Sequence, residues 1–250
     1  MNNYNPFSLE GKTVLVTGAS SGIGQATAIE CSKMGAKLVI TGRNQERLQA
    51  TFDTLEGDGH LQVIAELTNA EAVKELVDSC PTLDGVVLCA GRPMTLPFQF
   101  CSRDKFDSVF NVNFFAPVEL FRLLVKAKKI ARPSSIVAVA SIGGTLKHGV
   151  GNSVYGASKS ALESMMKSCA NELAKKGVRV NLVSPGMVET PLIRGGAITE
   201  EQLKIDMETR YPLGRYGEPN DVAHGIIYLL SNASSWVTGH SLVIDGGMTI

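Results

Sequence analysis

Two kinds of segment alternate along this chain, and that alternation constrains its fold more than any other feature. Short runs of aliphatic and β-branched residues lie at 13–17, 37–41, 61–65, 85–89, 135–140, 178–183 and 241–245. They are nearly continuous hydrophobics rather than hydrophobics alternating with polar residues, which is the composition of strands covered on both faces. Between them lie stretches long enough for helices, at 22–34, 45–55, 70–79, 103–129, 154–176 and 219–230. Strand and helix in alternation predict an α/β chain: a Rossmann-type, doubly wound, seven-stranded and mainly parallel sheet with helices on both faces. Ligands of such a sheet sit at the carboxyl ends of the strands.

Composition agrees with a folded core and removes several classes. The 250 residues are 44% hydrophobic and 19% charged, too apolar for disorder and long enough to bury a core without staples. Basic and acidic residues balance at 24 each, whereas a general binder of nucleic acid or anionic membrane carries a basic surplus. The cysteines at 31, 80, 89, 101 and 169 contain no Cys-x-x-Cys pair, and the histidines at 60, 148, 224 and 240 have no metal-ligand spacing. Neither a disulfide framework nor a metal site is expected. Residues 1–12 lack a basic region followed by an apolar stretch, and no uninterrupted apolar run approaches the roughly 18 residues of a membrane span. The expectation is a cytoplasmic protein with a small-molecule partner, without nucleic acid or membrane. No linker, charge block or repeat divides residues 1–250, which are read as one domain. The least regular part, 187–211, contains Gly195-Gly196 and a short helix near 200–208, and is expected to act as a substrate lid.

Directly after the first strand comes Thr17-Gly18-Ala19-Ser20-Ser21-Gly22-Ile23-Gly24. Glycines at 18, 22 and 24 let the chain turn sharply and bring backbone N–H groups and a helix N-terminus against a pyrophosphate. A tight strand-to-helix turn would use the same residues, but this one stands where a doubly wound sheet binds a dinucleotide. At the end of the second strand an acid would accept from a ribose 2′-hydroxyl; here Gly42 and Arg43 stand instead, followed by Asn44. A glycine leaves space and a guanidinium offers charge-assisted contacts to a 2′-phosphate, so the reading is NADP(H). The alternative for Arg43 is a solvated helix-start residue.

A second constellation lies further on. Ser141 follows the fifth strand, and Tyr155 and Lys159 project from one face of an amphipathic helix that continues through Leu162, Met166, Cys169 and Leu173. A phenol is a poor acid near neutrality, but an ammonium one turn away stabilises its phenolate and is expected to lower its pKa. Asn113 lies four residues before Pro117, which has no N–H, so in a continuous helix the Asn113 carbonyl lacks its usual donor and is free to hold a water. A helix kink without catalytic consequence is the other reading.

Gly-x-x-x-Gly-x-Gly together with Ser141, Tyr155-Gly-Ala-Ser-Lys159 and Asn111-Val112-Asn113 resembles the classical short-chain dehydrogenase/reductase family over about residues 9–247. The resemblance implies ketone–alcohol interconversion by hydride transfer, with Tyr155 as general acid/base, Ser141 positioning the substrate, Lys159 on the nicotinamide ribose and Asn113 supporting a proton relay. It implies cofactor contacts from Gly18, Ser20, Ser21, Gly22, Ile23, Gly24, Arg43, Asn44, Tyr155 and Lys159. By the same resemblance Glu66 and Leu67 meet the adenine, Ala90 and Gly91 the ribose, and Pro185, Gly186, Val188 and Thr190 the nicotinamide amide. Two departures stand out: Leu88-Cys89 replaces an asparagine pair, and Glu66 is one methylene longer than the usual aspartate. A homotetramer, or a homodimer, follows by analogy from the final helix and strand. The C-terminal half is similar to 3-oxoacyl-acyl-carrier-protein reductases, which makes a 3-oxoacyl thioester the leading substrate. A sugar or other small polar ketone, or a non-catalytic dinucleotide-binding sensor, are the alternatives. Arg92, Lys147 and Arg194 either attract an anionic substrate or are solvated loop cations, and His148 either lines the pocket or lies on the surface.

Overall fold

In the computed structural model, which describes residues 4–190 and 200–250, the aliphatic runs form β1 (Thr13–Thr17), β2 (Lys37–Gly42), β3 (Leu61–Ile64), β4 (Leu83–Leu88), β5 (Ile130–Val139), β6 (Val178–Pro185) and β7 (Ser241–Ile244). They make one seven-stranded sheet in the order β3-β2-β1-β4-β5-β6-β7, with every pairing parallel. The helices between them are α1 (Gly22–Lys33), α2 (Gln45–Phe52), α3 (Ala70–Ser79), α4 (Arg103–Phe110), α5 (Ala116–Lys126), the short α6 (Ile142–Thr145), α7 (Ser153–Leu173), α8 (Glu200–Arg210) and α9 (Pro219–Leu230).

Successive strand residues point to opposite faces, so unbroken aliphatic strands feed two cores at once. Leu15, Val86, Ile136 and Leu182 face one way, against Leu76 of α3, Leu120 and Leu124 of α5, and Leu162 and Met166 of α7. Val14, Val16, Leu38, Ile40 and Val137 face the other, against Ala28 and Cys31 of α1 and Ile226 and Leu230 of α9. Each such fully buried Leu or Ile contributes about 1.5–3 kcal/mol relative to exposure. Strand β1 pairs with both β2 and β4, so the chain winds outward in two directions from there. At the carboxyl ends of β1 and β4 the connections diverge, the switch point at which a doubly wound sheet leaves a crevice for a ligand.

Among the boundaries that differ from the sequence reading, two stand out. Strand β5 starts at Ile130, which pairs with Leu83, five residues ahead of the expected start at 135. The expected helix over 103–129 is interrupted by a π-helical turn, Asn111–Phe115, where the Ala116 N–H reaches the Asn111 carbonyl. The widened turn immediately precedes Pro117, which supplies no N–H and whose ring crowds the preceding turn of a regular helix. The stretch Arg103–Lys126 is long and apolar enough by composition to cross a bilayer. Here Leu120, Phe121 and Leu124 are spent on the core instead.

Of the expected lid, residues 191–199, including Arg194 and Gly195-Gly196, lie outside the described residues. The chain on either side of them is well tethered. The Met187 N–H donates to the Tyr211 hydroxyl at 3.2 Å, the Tyr216 hydroxyl donates to Asp206 on α8 at 2.8 Å, and the two tyrosine rings meet edge to face at 5.1 Å.

Candidate active site

Gly18 and Gly22 adopt φ of +68° and +55°, the left-handed region open to glycine. A Cβ on Gly24 would overlap the Gly18 carbonyl, so α1 can start this close to β1 only without a side chain there. Its N-cap, Ser21, makes no side-chain cap bond, and its first turn holds no acid. By contrast Asn44 and Asn69 cap α2 and α3 through their own side chains, each followed by an acid in the first turn. The start of α1 thus keeps donor groups and positive dipole potential that nothing of its own neutralises, as an anion site requires.

The opposite lip is held by a residue the sequence reading overlooked. The Thr17 hydroxyl accepts from the N–H groups of Cys89 and Ala90 at 3.0 and 3.1 Å and donates to the Val87 carbonyl at 3.3 Å. This draws Ala90 against Gly18, where a Cβ would come within 3.0 Å of the Ala90 Cα. A lone hydroxyl ending an aliphatic strand, just before a glycine, is the signal that marks it. From the end of β6, Pro185 and Gly186 continue to Val188, which is buried and bridged to Gly217, and to Thr190, whose methyl group lies beside Gly22. Ile23 and Leu67 pack toward the cores on either side of the sheet.

At the β2–β3 end the polar groups are already paired. Arg43 Nη1 lies 3.2 Å from Glu66 Oε2, with the Arg43 side chain 70% exposed. The other Glu66 oxygen accepts from the Thr68 N–H at 3.2 Å and from its hydroxyl at 3.0 Å. Partial burial opposes ionisation of Glu66, but the bonds from Thr68 and Arg43 hold its pKa below the usual carboxylate value. The Asn44 side chain is engaged in capping α2, at 2.8 Å from the Arg47 N–H. Gly42 does not open an empty space: a Cβ there would lie 3.2 Å from the Ser20 hydroxyl.

At the far end the structure brings Ser141, Tyr155, Lys159 and Asn113 together. Ser141 Oγ accepts from the Gly143 N–H at 3.0 Å, and its hydroxyl faces Tyr155. The spacing of those two is set by backbone contact, since a Cβ on Gly144 would lie 2.5 Å from the Gly156 carbonyl. Lys159 Nζ donates to the Val139 carbonyl at 2.7 Å and lies 6.0 Å from the Tyr155 ring centroid. Asn113 is fully buried; its Nδ2 donates to the Arg92 carbonyl at 3.0 Å and to Ser158 Oγ at 3.1 Å, and its Oδ1 accepts from the Arg92 N–H at 2.8 Å. Ser158 in turn donates to the Tyr155 carbonyl at 2.7 Å, an anchoring role that sequence alone did not show. A Cβ on Gly91 would lie 3.3 Å from Asn113 Oδ1 and 3.4 Å from Lys159 Nζ, so these three residues share one corner.

The expected lowering of the Tyr155 pKa by Lys159 is not what this geometry produces. Burial pushes the phenol up, the Ser141 hydroxyl offsets part of that, and the neighbouring Cys89 adds to the rise. Burial also brings Lys159 down to about 8, against a small opposing effect of Cys89. The reason is tertiary: the ammonium is tied to a strand carbonyl, and both groups lose water. The Cys89 thiol itself is pushed up to about 12 by burial, which keeps it protonated and unreactive. His148 and Arg92 are exposed and Lys147 half-buried.

A family model described as Enoyl-(Acyl carrier protein) reductase matches residues 18–249. A 3-oxoacyl-acyl-carrier-protein reductase from Rickettsia prowazekii is 36% identical over 241 residues, covering 96% of this chain and 98% of that protein. One from Thermotoga maritima is 34% identical over 248 residues, covering 97% and 99%. Among solved structures, a short-chain type dehydrogenase/reductase from Mycobacterium marinum superposes with a TM-score of 0.90 at 30% identity, covering 98% of both chains. The Pseudomonas aeruginosa RhlG/NADP active-site complex gives a TM-score of 0.90 at 28% identity, covering 99% of this chain and 100% of that one. With its parallel sheet, glycine loop and Ser141–Tyr155–Lys159 cluster, the chain belongs to the classical short-chain dehydrogenase/reductase family of oxidoreductases.

Proposed function

We propose that this protein is an NADP(H)-dependent reductase that interconverts a ketone and a secondary alcohol, with a 3-oxoacyl thioester as its leading substrate. The observation that carries this reading is the convergence of Ser141, Tyr155, Lys159 and Asn113, the last two buried, beside an α1 N-terminus whose N-cap Ser21 makes no side-chain cap bond. The residues present fit a dinucleotide. The start of α1 with Gly18, Ser20, Ser21, Gly22, Ile23 and Gly24 would hold the pyrophosphate, and Arg43 the 2′-phosphate. Ala90 and Gly91 would meet the ribose, and Pro185, Gly186, Val188 and Thr190 the nicotinamide side. When bound, NADP(H) supplies or accepts the hydrogen and electron pair exchanged at the carbonyl carbon.

The rest of the chemistry falls to the chain. Tyr155 gives its proton to the carbonyl oxygen in reduction and takes it back in oxidation. Ser141 Oγ accepts from Gly143, which leaves its own hydrogen to donate where negative charge develops. Lys159, with a pKa brought to about 8, exchanges protons near neutrality and re-supplies Tyr155. The Asn113 carbonyl, four residues before a proline that offers no N–H, is available to a water that feeds Lys159. The Asn113 side chain fixes that corner by holding Arg92 and Ser158.

The substrate class is supported by the names of the Rickettsia and Thermotoga relatives. A smaller polar ketone is the second reading, favoured by a relative from Arabidopsis thaliana named as a tropinone reductase homolog, 30% identical over 252 residues. We also read residues 1–250 as one domain with a lid over 187–211, working in the cytoplasm as a homotetramer or homodimer. Exposed Trp236, Phe115 and the β7 residue Val243 supply apolar surface for subunit contact.

A panel of carbonyl compounds assayed with NADPH and NADH tests the reading. Consumption of NADPH with a 3-oxoacyl thioester is expected. NADPH binding without turnover of any carbonyl would favour the non-catalytic sensor.

A further inference from the structure

The Arg43–Glu66 ion pair has no part in the chemistry above, yet it occupies the end of the crevice that chooses between dinucleotides. Resting on the NADP(H) reading, we propose that Glu66 is a specificity-determining residue. By pairing with Arg43 it holds the preference for a 2′-phosphorylated dinucleotide below what Arg43 alone would give.

Strand register puts the two groups together. Gly42 pairs with Ile64, and the Ala65 N–H donates to the Gly42 carbonyl at 3.2 Å, so Arg43 and Glu66 emerge side by side from adjoining strand ends. Glu66 is not free to swing away, because one of its oxygens is held twice by Thr68. The other reaches Arg43 Nη1 at 3.2 Å. A guanidinium has five N–H donors, and this bond uses one, so a phosphate can bind Arg43 without breaking the pair. What the phosphate then meets is a cation with a fixed anion beside it. The Ser20 hydroxyl beside Gly42 is neutral and does not restore the charge. An unphosphorylated ribose carries no charge in this position, so the Glu66 charge opposes it far less than it opposes a phosphate. Loss of the carboxylate should therefore strengthen one ligand and not the other. A positioning role, in which Glu66 holds Arg43 ready, predicts the opposite sign. With 70% of the Arg43 side chain exposed, the pair fixes the guanidinium weakly, whereas its charge acts in any rotamer.

The test is titration of the full-length apoprotein with NADPH and with NADH at low salt, for wild type, E66Q, E66D and R43A. E66Q should tighten NADPH about fivefold and leave NADH within about twofold, with the gain fading near 1 M salt, where the Debye length is about 3 Å. E66D, which keeps the charge but draws it back by a methylene, should fall between wild type and E66Q. An unchanged or weakened NADPH preference in E66Q overturns the proposal, as does a gain that salt does not reduce or an E66D effect equal to that of E66Q. The R43A arm separates this from the underlying reading. If wild type prefers NADPH and R43A loses that preference while E66Q fails, Glu66 alone has been misread. If wild type binds both alike and R43A changes neither, the NADP(H) reading falls and the proposal with it.

Discussion

At one end of the crevice Asn113 and Lys159 keep 0% and 5% of their surface, and each is anchored by hydrogen bonds to named partners. At the other end the Arg43 side chain is 70% exposed and meets a carboxylate that is itself 41% exposed. One end works by position, which burial and backbone contact enforce; the other works by charge, which water and salt dilute. Substitutions should therefore act steeply at the first and gradually at the second.

The steepest is Tyr155→Phe. Turnover should fall about 10³-fold while NADPH titrates as in wild type, because the ring remains and the proton donor is gone. Turnover within tenfold of wild type would remove the chemistry from this end. Next is Gly144→Ala, whose Cβ meets the Gly156 carbonyl at 2.5 Å and Ser160 Oγ at 2.6 Å. The loop carrying Ser141 must move relative to Tyr155, and a loss of about 10² in kcat with unchanged NADPH affinity is expected from a misplacement of this size.

Lys159→Met gives a pH signature. Folded Lys159 titrates near 8 against an ordinary 10.5, so between those values the unfolded chain holds the extra proton. Wild-type stability, measured relative to K159M, should then be flat below about pH 8 and rise toward pH 10.5 by on the order of 2 kcal/mol. Urea midpoints of both proteins at pH 7.5 and 10 decide it; a difference that does not change with pH would mean the lysine is not desolvated. A smaller effect belongs to Arg43→Ala, with NADPH bound about tenfold more weakly and NADH unchanged, as one lost charge-assisted contact in water predicts.

The features legible ahead of the structure were those fixed by local pattern. Unbroken aliphatic runs announced strands buried on both faces; this holds for the inner strands, where Val14 and Leu15 serve different cores, but not for the edge strands β3 and β7, where Leu61, Ile64 and Val243 are exposed. Tyr155 and Lys159, one turn apart, had to share a helix face. Features made by distant segments were not legible. The pairing of Arg43 with Glu66 needs the register of β2 on β3. The direction of the Tyr155 shift needs the desolvation that the whole fold imposes. Ile130 pairs in β5 because Leu83 lies opposite, five residues before the strand expected from 135. Pro117 hinted at a disturbed helix, but the disturbance took the form of a π-helical turn.

That turn has a consequence for how this chain tolerates insertion and deletion. Between Asn111 and Phe115 the helix carries one residue more than regular winding needs. It works as an adjusting shim: α4 and Asn113 keep one angular setting, toward Arg92 and Ser158, while Leu120, Phe121 and Leu124 of α5 keep another, toward the sheet. Removing one residue here would restore a smooth helix and turn its two halves against each other by about 100°. The shortened chain would then have to choose between seating its core and seating Asn113. Length at this point of the sequence is as much a determinant of the site as the identity of any side chain in it.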